Sequence, residues 1–396
     1  MGRQTTIATG TPGDLLRLIR SGEATTRAEL ASSTGLARST IAQRIDSLVE
    51  NDLIKELGDA PSTGGRPPTV LGFNVRAGIV LAADLGATHS RIAIADLGGS
   101  VIAEMAEDIE IASGPEPVLA WVEESFQRLI ADSGKIVADV RGIGIGVPGP
   151  VEFAQGRPVS PPIMPGWDGY DIRGYFSGRF DVPVLVDNDV NIQALGEHWV
   201  MDQPVDDMLF IKVGTGIGSG LILDGSLHRG AKGAAGDIGH VPVRDSDTVC
   251  RCGNVGCVEA VAGGAALAKA LHSKGHGTAN SRDVVALVRS GDRDAIQAVR
   301  EAGRLLGRVL AATVNLLNPA MIVIGGDLAG AGDQLLAGVR EVVYQRSTAL
   351  ATNELSITSS TLGDRAGIIG AAAMVIEYIL DPASVDAALS AEALAS

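Results

Sequence analysis

All three cysteines of this 396-residue chain lie within eight positions, in the segment Cys250-Arg-Cys252-Gly-Asn-Val-Gly-Cys257, and His240 precedes them by ten residues. Three thiolates and one imidazole make a Cys3His donor set, which suits tetrahedral zinc. The two glycines inside the segment allow it to fold back so that the sulfur atoms converge. The alternative is a group of buried or reducible thiols, whereas the odd number of cysteines argues against a disulfide framework. We therefore expect these four residues to hold a structural zinc ion.

Carboxylates and amides follow a short apolar run, in the segment Asp187-Asn188-Asp189-Val-Asn191. Active sites of open α/β sheets lie at the ends of such strands. Asp189 is therefore a candidate general base that accepts a proton from a sugar hydroxyl, while Asn188 hydrogen-bonds a neighbouring hydroxyl. The alternative is purely local, because Asp and Asn also favour Asx turns and helix N-caps.

Two strand–turn–strand segments carry residues that suit phosphate groups. The first turn contains Asp84, Gly86 and Thr88, and the second reads Gly214-Thr215-Gly216. Backbone N–H groups and the Thr88 hydroxyl can donate to phosphate oxygens, and Asp84 can hold Mg²⁺ directly or through water. Neither turn is followed directly by a helix, which excludes the Rossmann and Walker types of glycine loop.

A third glycine motif, Gly325-Gly326, ends the apolar run that begins at Met321. A flat adenine can lie against such bare backbone. Because the strand–turn–strand pattern occurs twice, the chain looks internally duplicated. Two similar lobes that close on one nucleotide describe an actin-like ATPase better than a dinucleotide-binding fold.

Composition is that of a globular protein, with 45% hydrophobic residues and a net charge of −15. The first 75 residues contain eight basic and eight acidic side chains, so the whole negative excess lies in the rest of the chain. The charge therefore does not exclude a nucleic-acid partner for the N-terminal segment. No basic segment followed by an apolar one opens the sequence, and we expect a soluble, cytoplasmic protein without a membrane partner.

The N-terminal segment from Thr11 to Leu57 predicts three short helices, because apolar residues recur at helical spacing between glycine and proline breaks. Thr26 and Glu29 predict a capping box on the second helix, which Gly35 ends. The third helix buries Ile41, Ile45 and Leu48. Its outward residues are of types that read a DNA groove: Arg38, Ser39, Thr40, Gln43 and Arg44. This is the helix-turn-helix plan, in which the second helix of the motif enters the major groove.

A β-wing is predicted after these helices, from two apolar runs that flank the Gly-, Pro- and Ser-rich segment 58–68. Arg66 lies near its tip and can enter a narrow minor groove, which favours arginine. Arg38 and Arg44 would contact phosphates and make the affinity salt-dependent. The alternative is a three-helix protein-interaction module with a flexible linker.

The chain as a whole resembles the ROK family of repressors, open reading frames and sugar kinases, and in particular its regulators, which carry a winged helix-turn-helix before a kinase-like domain. The resemblance rests on Gly236-Asp-Ile-Gly-His240 with the cysteine segment and Glu259, on Asp187–Asn191, on Gly146-Val-Pro-Gly149 and on Gly214-Thr-Gly-Ile-Gly218.

The resemblance implies roles for individual residues. It makes His240 and the three cysteines zinc ligands. It places the sugar among Asn188, Asp189, Asp237, His240 and Glu259, with Asp189 as the base of a kinase. It assigns ATP-Mg²⁺ to Asp84, Gly86, Thr88, Gly214, Thr215, Gly216, Gly325 and Gly326. His240 would serve twice, with one ring nitrogen on zinc and the other on a sugar oxygen.

Three positions depart from the pattern of the sugar kinases. Asp237 stands where the kinases usually have Glu, and the shorter side chain changes which hydroxyls it reaches. His89 replaces a usual Lys, and Ala87 replaces a glycine of the first turn.

The predicted fold is α/β, with a winged helix-turn-helix at residues 1–75 and a two-lobed actin-like domain behind it. The first lobe covers residues 76–190 and is completed by a helix at about 365–380. The second lobe, with the zinc site, covers residues 191–364.

The leading functional hypothesis is a sugar-responsive transcriptional repressor that binds operator DNA as a homodimer or tetramer. A sugar or sugar phosphate closes the cleft and re-aims the DNA-binding domains, with the zinc loop as transmitter. The alternative is an ATP-dependent sugar kinase that carries a DNA-binding domain and uses Asp189 as base. A purely structural scaffold would need neither the zinc ligands nor the convergent polar groups.

Overall fold

The computed structural model describes residues 10–59, 69–243 and 246–395, without the side chains of residues 59 and 392–395. The N-terminal domain consists of three helices and a β-hairpin: α1 (Pro12–Ser21), α2 (Arg27–Thr34), α3 (Arg38–Glu50), β1 (Ile54–Asp59) and β2 (Thr69–Phe73). The two strands pair antiparallel, with Ile54 opposite Phe73. Arg66, the residue predicted for the minor groove, lies outside the described residues.

Local hydrogen bonds explain the ends of the helices in this domain. The capping box predicted at α2 is present, because Thr26 and Glu29 each accept a hydrogen bond from the backbone N–H of the other. α2 ends at Gly35, whose φ of 72° lies in the left-handed region that glycine adopts without strain. α3 begins at Arg38, because Ala37 has an extended backbone and forms its N-cap. The buried face of α3 consists of the three predicted residues, Ile41, Ile45 and Leu48.

The rest of the chain contains two five-stranded sheets. The strands of the first lobe are β3 (Ile79–Leu85), β4 (Ser90–Asp96), β5 (Val101–Glu107), β6 (Val140–Val147), the short hairpin β7 (Val151–Glu152) and β8 (Arg157–Pro158), and β9 (Val184–Asn188). Those of the second lobe are β10 (Met208–Val213), β11 (Ile217–Leu223), β12 (Ser226–Leu227), β13 (Met321–Gly325) and β14 (Ser356–Ser359).

Both sheets have the same topology. Their strand orders are β5-β4-β3-β6-β9 and β12-β11-β10-β13-β14. In each sheet the first three strands in chain order are antiparallel neighbours, and the last two run parallel to the first. The duplication predicted from the two glycine turns is therefore present as a repeated sheet.

Helices cover the sheets and connect the lobes. In chain order they are α4 (Pro115–Asp132), α5 (Ile172–Ser177), α6 (Asp189–Trp199), α7 (Val258–Ala262), α8 (Gly264–Ser273), α9 (Ser281–Arg289), α10 (Arg293–Leu317), α11 (Asp333–Arg346), α12 (Ala349–Thr352), α13 (Ala366–Ile379) and α14 (Pro382–Ala395). α13 packs on β3 and β6 of the first sheet, and it packs most extensively on α6.

Glycines allow α6 to approach its neighbours closely on two sides. A Cβ atom added at Gly370 of α13 would lie 1.6 Å from the carbonyl oxygen of Ile192. A Cβ atom added at Gly220 of β11 would lie 2.6 Å from Ala194 Cβ. α6 is thus held between α13 and the second sheet, at the junction of the lobes.

Helix α14 joins the C-terminus to the N-terminal domain. The backbone N–H of Gly13 in α1 donates to Asp386 Oδ1 at 2.8 Å, and a Cβ atom at Gly13 would lie 2.2 Å from the Pro382 carbonyl oxygen. Buried apolar residues of α1–α3 belong to one cluster with those of α6, α13 and α14. The N-terminal domain is therefore docked on the larger domain through a shared apolar core.

In the described ranges, no single helix is long and apolar enough to cross a bilayer. The segments Gly363–Ile379 and Pro382–Ala391 reach that length only together, and they meet at an angle of 63°.

Candidate functional site

A cleft of about 1750 Å³ lies between the two lobes. Both glycine turns, the start of α6 and the cysteine segment open into it. Every residue predicted to bind sugar or nucleotide lines this cleft except Gly325. The two sheets thus bring together predicted residues that are up to 242 positions apart in the chain, from Asp84 to Gly326.

The four predicted metal ligands form one cluster at the edge of the cleft. The ligand atoms of His240, Cys250, Cys252 and Cys257 all lie within 4.8 Å of one another. Cys250 Sγ lies 3.6 Å from His240 Nδ1, and Cys252 Sγ lies 3.7 Å from Cys257 Sγ. In a tetrahedral zinc site the bond lengths place neighbouring ligand atoms about 3.5–3.8 Å apart. The donor atoms and their spacing therefore fit a single tetrahedral metal ion.

His240 and Glu259 connect this cluster with the cleft. His240 directs Nδ1 towards the sulfur atoms, while its Nε2 lies 3.8 Å from Asp237 Oδ1. Glu259 Oε2 accepts a hydrogen bond from the backbone N–H of Ile217, at 3.0 Å. A Cβ atom at Gly216 would lie 2.1 Å from the same oxygen, which explains the glycine at this position.

Asn188 is the N-cap of α6, which is the local role that its sequence context also allows. Its Oδ1 accepts hydrogen bonds from the backbone N–H groups of Val190 and Asn191, and its Nδ2 donates to the Gly149 carbonyl oxygen at 2.9 Å. Asp189 is the first residue of the helix and is only 4% exposed. The cap therefore fixes the position of Asp189 at the floor of the cleft.

Arg229 braces the same segment from the second lobe. Its Nε donates to Asp187 Oδ2 at 2.6 Å, and its guanidinium carbon lies 3.8 Å from the centre of the Phe153 ring. Asn191 Nδ2 donates to the other oxygen of Asp187 at 2.8 Å. Asp187 thus orients the polar segment, and no motif in the sequence indicates Arg229 as its partner.

Lys212, at the end of β10, pairs with the candidate base. Its Nζ lies 2.6 Å from Asp189 Oδ2. Burial acts to lower the pKa of Lys212, but the charges of Asp189 and Asp84 outweigh this effect and raise the pKa overall. Burial raises the pKa of Asp84 to about 6, against the opposing effect of the Lys212 charge. No motif in the sequence indicates Lys212, because its contact with Asp189 forms only when the two lobes come together.

The two glycines after β13 differ in their surroundings. A Cβ atom at Gly325 would lie 2.5 Å from Phe210 Cζ, so the bare backbone of Gly325 faces an aromatic ring of the neighbouring strand. Gly326 has a φ of 80°, packs on the backbone of Val213 and lines the cleft. Of the predicted adenine contacts, only Gly326 therefore faces the cleft.

The candidate DNA-binding face lies on the first half of α3. Arg38, Ser39 and Gln43 are exposed, and Thr40 is half-buried. Arg44 is also half-buried, and its Nη1 atom is enclosed without a hydrogen-bond partner among the described residues. Arg38, Ser39 and Gln43 are therefore more exposed to solvent than Arg44 is.

Comparison with known proteins agrees with this architecture. The model of the ROK family matches residues 80–378, and a model of the winged helix-turn-helix DNA-binding domain matches residues 11–55. The chain is 31% identical over 380 residues to the xylose repressor of Caldicellulosiruptor bescii. The match covers 92% of this chain and 95% of that protein.

Two solved structures are similar in fold. A ROK family transcriptional regulator, a homolog of the E. coli MLC protein, has a TM-score of 0.79 and 26% identity, and the match covers 96% of this chain and 98% of that one. A ROK family glucokinase from Streptomyces griseus, in complex with glucose and AMPPNP, has a TM-score of 0.64 and 25% identity over 75% of this chain and 99% of that one. The chain therefore belongs to the ROK family and carries a winged helix-turn-helix domain in front of the family domain.

Proposed function

We propose that this protein is a transcriptional repressor that binds operator DNA through its N-terminal domain and releases it when a sugar or sugar phosphate enters the cleft. The xylose repressor and the matched regulator structure resemble this chain along nearly its whole length, the N-terminal domain included. This similarity supports a function in transcriptional regulation. Such a protein acts in the cytoplasm, where its operator DNA lies.

The observation that carries this proposal is the position of α6. Its first turn contains Asn188 and Asp189 at the floor of the cleft. It is 11 residues long, so its last residue, Trp199, lies about 15 Å from Asp189 along the helix axis. One helix thus extends from the proposed sugar site towards the N-terminal domain.

Trp199 contacts the DNA-binding domain directly. The guanidinium carbon of Arg20, in α1, lies 5.6 Å from the centre of the Trp199 ring, within the range of a cation–π contact. The charge of Arg20 also interacts with Glu377 of α13, the helix that packs most extensively on α6. A shift of α6 and α13 on ligand binding therefore acts on α1 without an intervening flexible segment.

The proposed mechanism is a shift between two arrangements of the lobes. A sugar held by Asn188, Asp189, Asp237, His240 and Glu259 touches both lobes and favours the closed arrangement. The DNA-binding domains are then held in an orientation that no longer fits the operator. The ligand acts only through its difference in affinity for the two arrangements.

On the DNA side, α3 enters the major groove with Arg38, Ser39, Thr40 and Gln43. Arg44 and Arg66 add phosphate and minor-groove contacts. We expect a homodimer or tetramer, because two recognition helices related by symmetry read two half-sites of an operator.

For the cysteine cluster we propose zinc, held by His240, Cys250, Cys252 and Cys257. When bound, zinc fixes the loop and, through Nδ1, the tautomer of His240. The Nε2 atom of His240 then carries the proton and donates a hydrogen bond to a sugar oxygen in the cleft. The metal has a structural role in this proposal and takes part in no reaction.

A second candidate function is an ATP-dependent sugar kinase. It is favoured by one observation, that both glycine turns line the same cleft as Asp189. In this case ATP-Mg²⁺ lies against Asp84, Gly86, Thr88, the turn Gly214-Thr215-Gly216 and Gly326. A coupled assay for ADP with a sugar panel tests it: turnover that Asp189→Asn abolishes establishes a kinase.

The test of the proposed function is DNA release by sugars. A fluorescent duplex, selected by the protein from a random pool, is titrated with the zinc-loaded protein in the presence of D-xylose, D-glucose, N-acetyl-D-glucosamine or the 6-phosphates of the last two. We expect one of these to lower DNA affinity in a saturable way. If no duplex is selected, or if none of the sugars changes affinity while the protein binds one of them, the regulator proposal is wrong.

A further inference from the structure

Both carboxylate oxygens of Asp189 are engaged within the protein. Oδ2 pairs with Lys212 Nζ at 2.6 Å, and Oδ1 accepts the backbone N–H of Val190 at 2.9 Å. Both side chains of the ion pair are largely enclosed, with 6% exposure for Asp189 and 25% for Lys212. A hydroxyl group that approaches Asp189 therefore competes with the ammonium group for Oδ2, and the positive charge beside this oxygen makes the carboxylate a weaker base.

Asp84 lies in the same electrostatic environment. The charges of Lys212 and Asp189 both act on its carboxyl group. Its Oδ1 is enclosed without a hydrogen-bond partner among the described residues, and Oδ2 has only a long contact of 3.4 Å with Gln193 Nε2. Among the described residues, Asp84 thus has fewer hydrogen bonds than a buried carboxylate needs, and the charges of Lys212 and Arg91 stabilise its ionised form.

We propose that the Lys212 ammonium group takes the place of a divalent cation beside Asp84 and Asp189, so that the cleft binds its ligand without magnesium and Asp189 is not free to act as a base. The proposal deepens the proposed function and rests on it only for the identity of the ligand. It assigns Lys212 as the residue that separates a sugar sensor from a sugar kinase.

The requirements of phosphoryl transfer support this assignment. The reaction needs a divalent cation on the phosphates and a carboxylate that takes the hydroxyl proton as the sugar oxygen attacks the terminal phosphorus. Here an ammonium group already donates to Oδ2 of Asp189, and its positive charge also acts on Asp84. The described lining of the cleft contains eight Asp and Glu side chains against five Lys and Arg, so it offers no surplus of positive charge to nucleotide phosphates.

The experiment replaces Lys212 by the uncharged side chain of similar length, in Lys212→Met. In the absence of sugar, the melting temperature is measured with and without MgCl₂. Magnesium binding is measured separately by calorimetric titration with MgCl₂. The native protein should not respond to magnesium. Lys212→Met should gain a saturable stabilisation by magnesium, because Asp84 and Asp189 then take up the ion in place of the ammonium group.

Two further variants distinguish this effect from a general change of charge. Lys269→Met removes an exposed cation that also lines the cleft and should remain insensitive to magnesium. The double variant Lys212→Met/Asp189→Asn should lose the gained response. A native protein whose sugar affinity depends on magnesium would overturn the proposal, and so would a folded Lys212→Met that gains no response.

The outcome does not depend on the regulator proposal. If Lys212→Met does not fold, calorimetric titration of the native protein with D-xylose and D-glucose, with and without MgCl₂, still decides: equal affinities support the proposal and a magnesium requirement overturns it. If no sugar binds at all, the magnesium titration of Lys212→Gln, a second uncharged variant, tests the cation site alone. Failure to bind any sugar counts against the proposed function and not against the role of Lys212.

Discussion

His240 shows how one residue can serve two sites. Its Nδ1 faces the cysteine sulfur atoms, and its Nε2 faces Asp237 in the cleft. A metal on Nδ1 leaves the proton on Nε2, which is then a donor for a sugar oxygen. The proposed metal site and the proposed sugar site therefore share a side chain.

This arrangement predicts a joint loss in His240→Gln. We expect zinc content, measured by mass spectrometry of the purified protein, to fall well below one ion per chain, and the melting temperature to fall with it. Sugar binding, measured by calorimetry, should weaken as well. His276→Gln is the matched control, because His276 is also flanked by carboxylates, those of Asp292 and Asp294, but lies outside the cluster. Normal sugar binding by zinc-free His240→Gln would contradict the shared role.

The carboxyl group of Asp84 predicts a pH-dependent stability. Burial raises its pKa to about 6 in the folded chain, whereas Lys212 and Arg91 oppose the shift and Asp189 reinforces it. Between its unfolded and folded pKa values, the folded chain binds more protons than the unfolded one, so this group lowers the free energy of unfolding as pH rises from about 4 to about 6. Asp84→Asn removes this effect.

We therefore expect Asp84→Asn to gain stability relative to the native protein across this window, by up to about 3 kcal/mol, and to keep the gain at higher pH. Urea unfolding at a series of pH values, without magnesium, measures it. If the free energies of unfolding of the two proteins differ by the same amount at pH 4 and pH 7, burial does not raise the pKa of Asp84.

Residue chemistry was predictable where neighbours in sequence are also neighbours in space. The cysteine segment folds on itself, and its spacing with His240 predicted the cluster that the structure contains. Lys212 and Arg229 were missed because their partners, Asp189 and Asp187, come from another strand end and meet them only when the sheets are assembled. Gly325 was assigned to adenine as part of a glycine pair at a strand end; it packs against the ring of Phe210, and its contact with adenine stays a prediction.

Among the elements, α6 has the decisive position. It begins at the cleft, ends at Trp199 beside α1, and is held on both sides by close glycine contacts. Close packing transmits a displacement because it leaves no free volume to absorb it. The role of the cysteine loop as transmitter remains a prediction, whereas α6 contacts α1 directly through Trp199 and Arg20.

Trp199→Ala is expected to uncouple the two domains. Sugar affinity and sugar-free DNA affinity should stay close to native, because Trp199 lies outside both proposed binding sites. The effect of sugar on DNA affinity, which for coupled sites is commonly about 5- to 150-fold, should shrink towards none. Fluorescence anisotropy with the selected duplex measures both quantities.

Trp121→Ala is the matched control, since Trp121 is also half-buried but lies on α4, where it donates a hydrogen bond to Glu107. It should respond to sugar as the native protein does. Full sugar response in Trp199→Ala would show that coupling follows another route.

Secondary structure was predictable where local signals are strong. The capping box at Thr26, the end of α2 at Gly35 and the buried face of α3 are all present. Helix α14 was not predicted, because its main partner is α1, at the other end of the chain. Its small alanine-rich residues give no pattern that indicates this contact.

For the whole molecule, the repeated sheet and the docked N-terminal domain form one connected structure. Two lobes with the same strand order face each other across the cleft, as in the duplicated fold that the glycine turns predicted. The apolar core of the N-terminal domain continues into α6, α13 and α14. Closure of the lobes and orientation of the recognition helices are therefore expected to change together.

The proposed function requires that the cleft and the DNA-binding face are thermodynamically coupled. Coupling is reciprocal: if a sugar weakens DNA binding by some factor, DNA must weaken sugar binding by the same factor. The most direct measurement is the sugar affinity of the native, zinc-loaded protein by calorimetry, free and saturated with the selected duplex. We predict weaker sugar binding in the complex, by the factor found for DNA release. Identical sugar affinities with and without DNA would show that the two sites are not coupled.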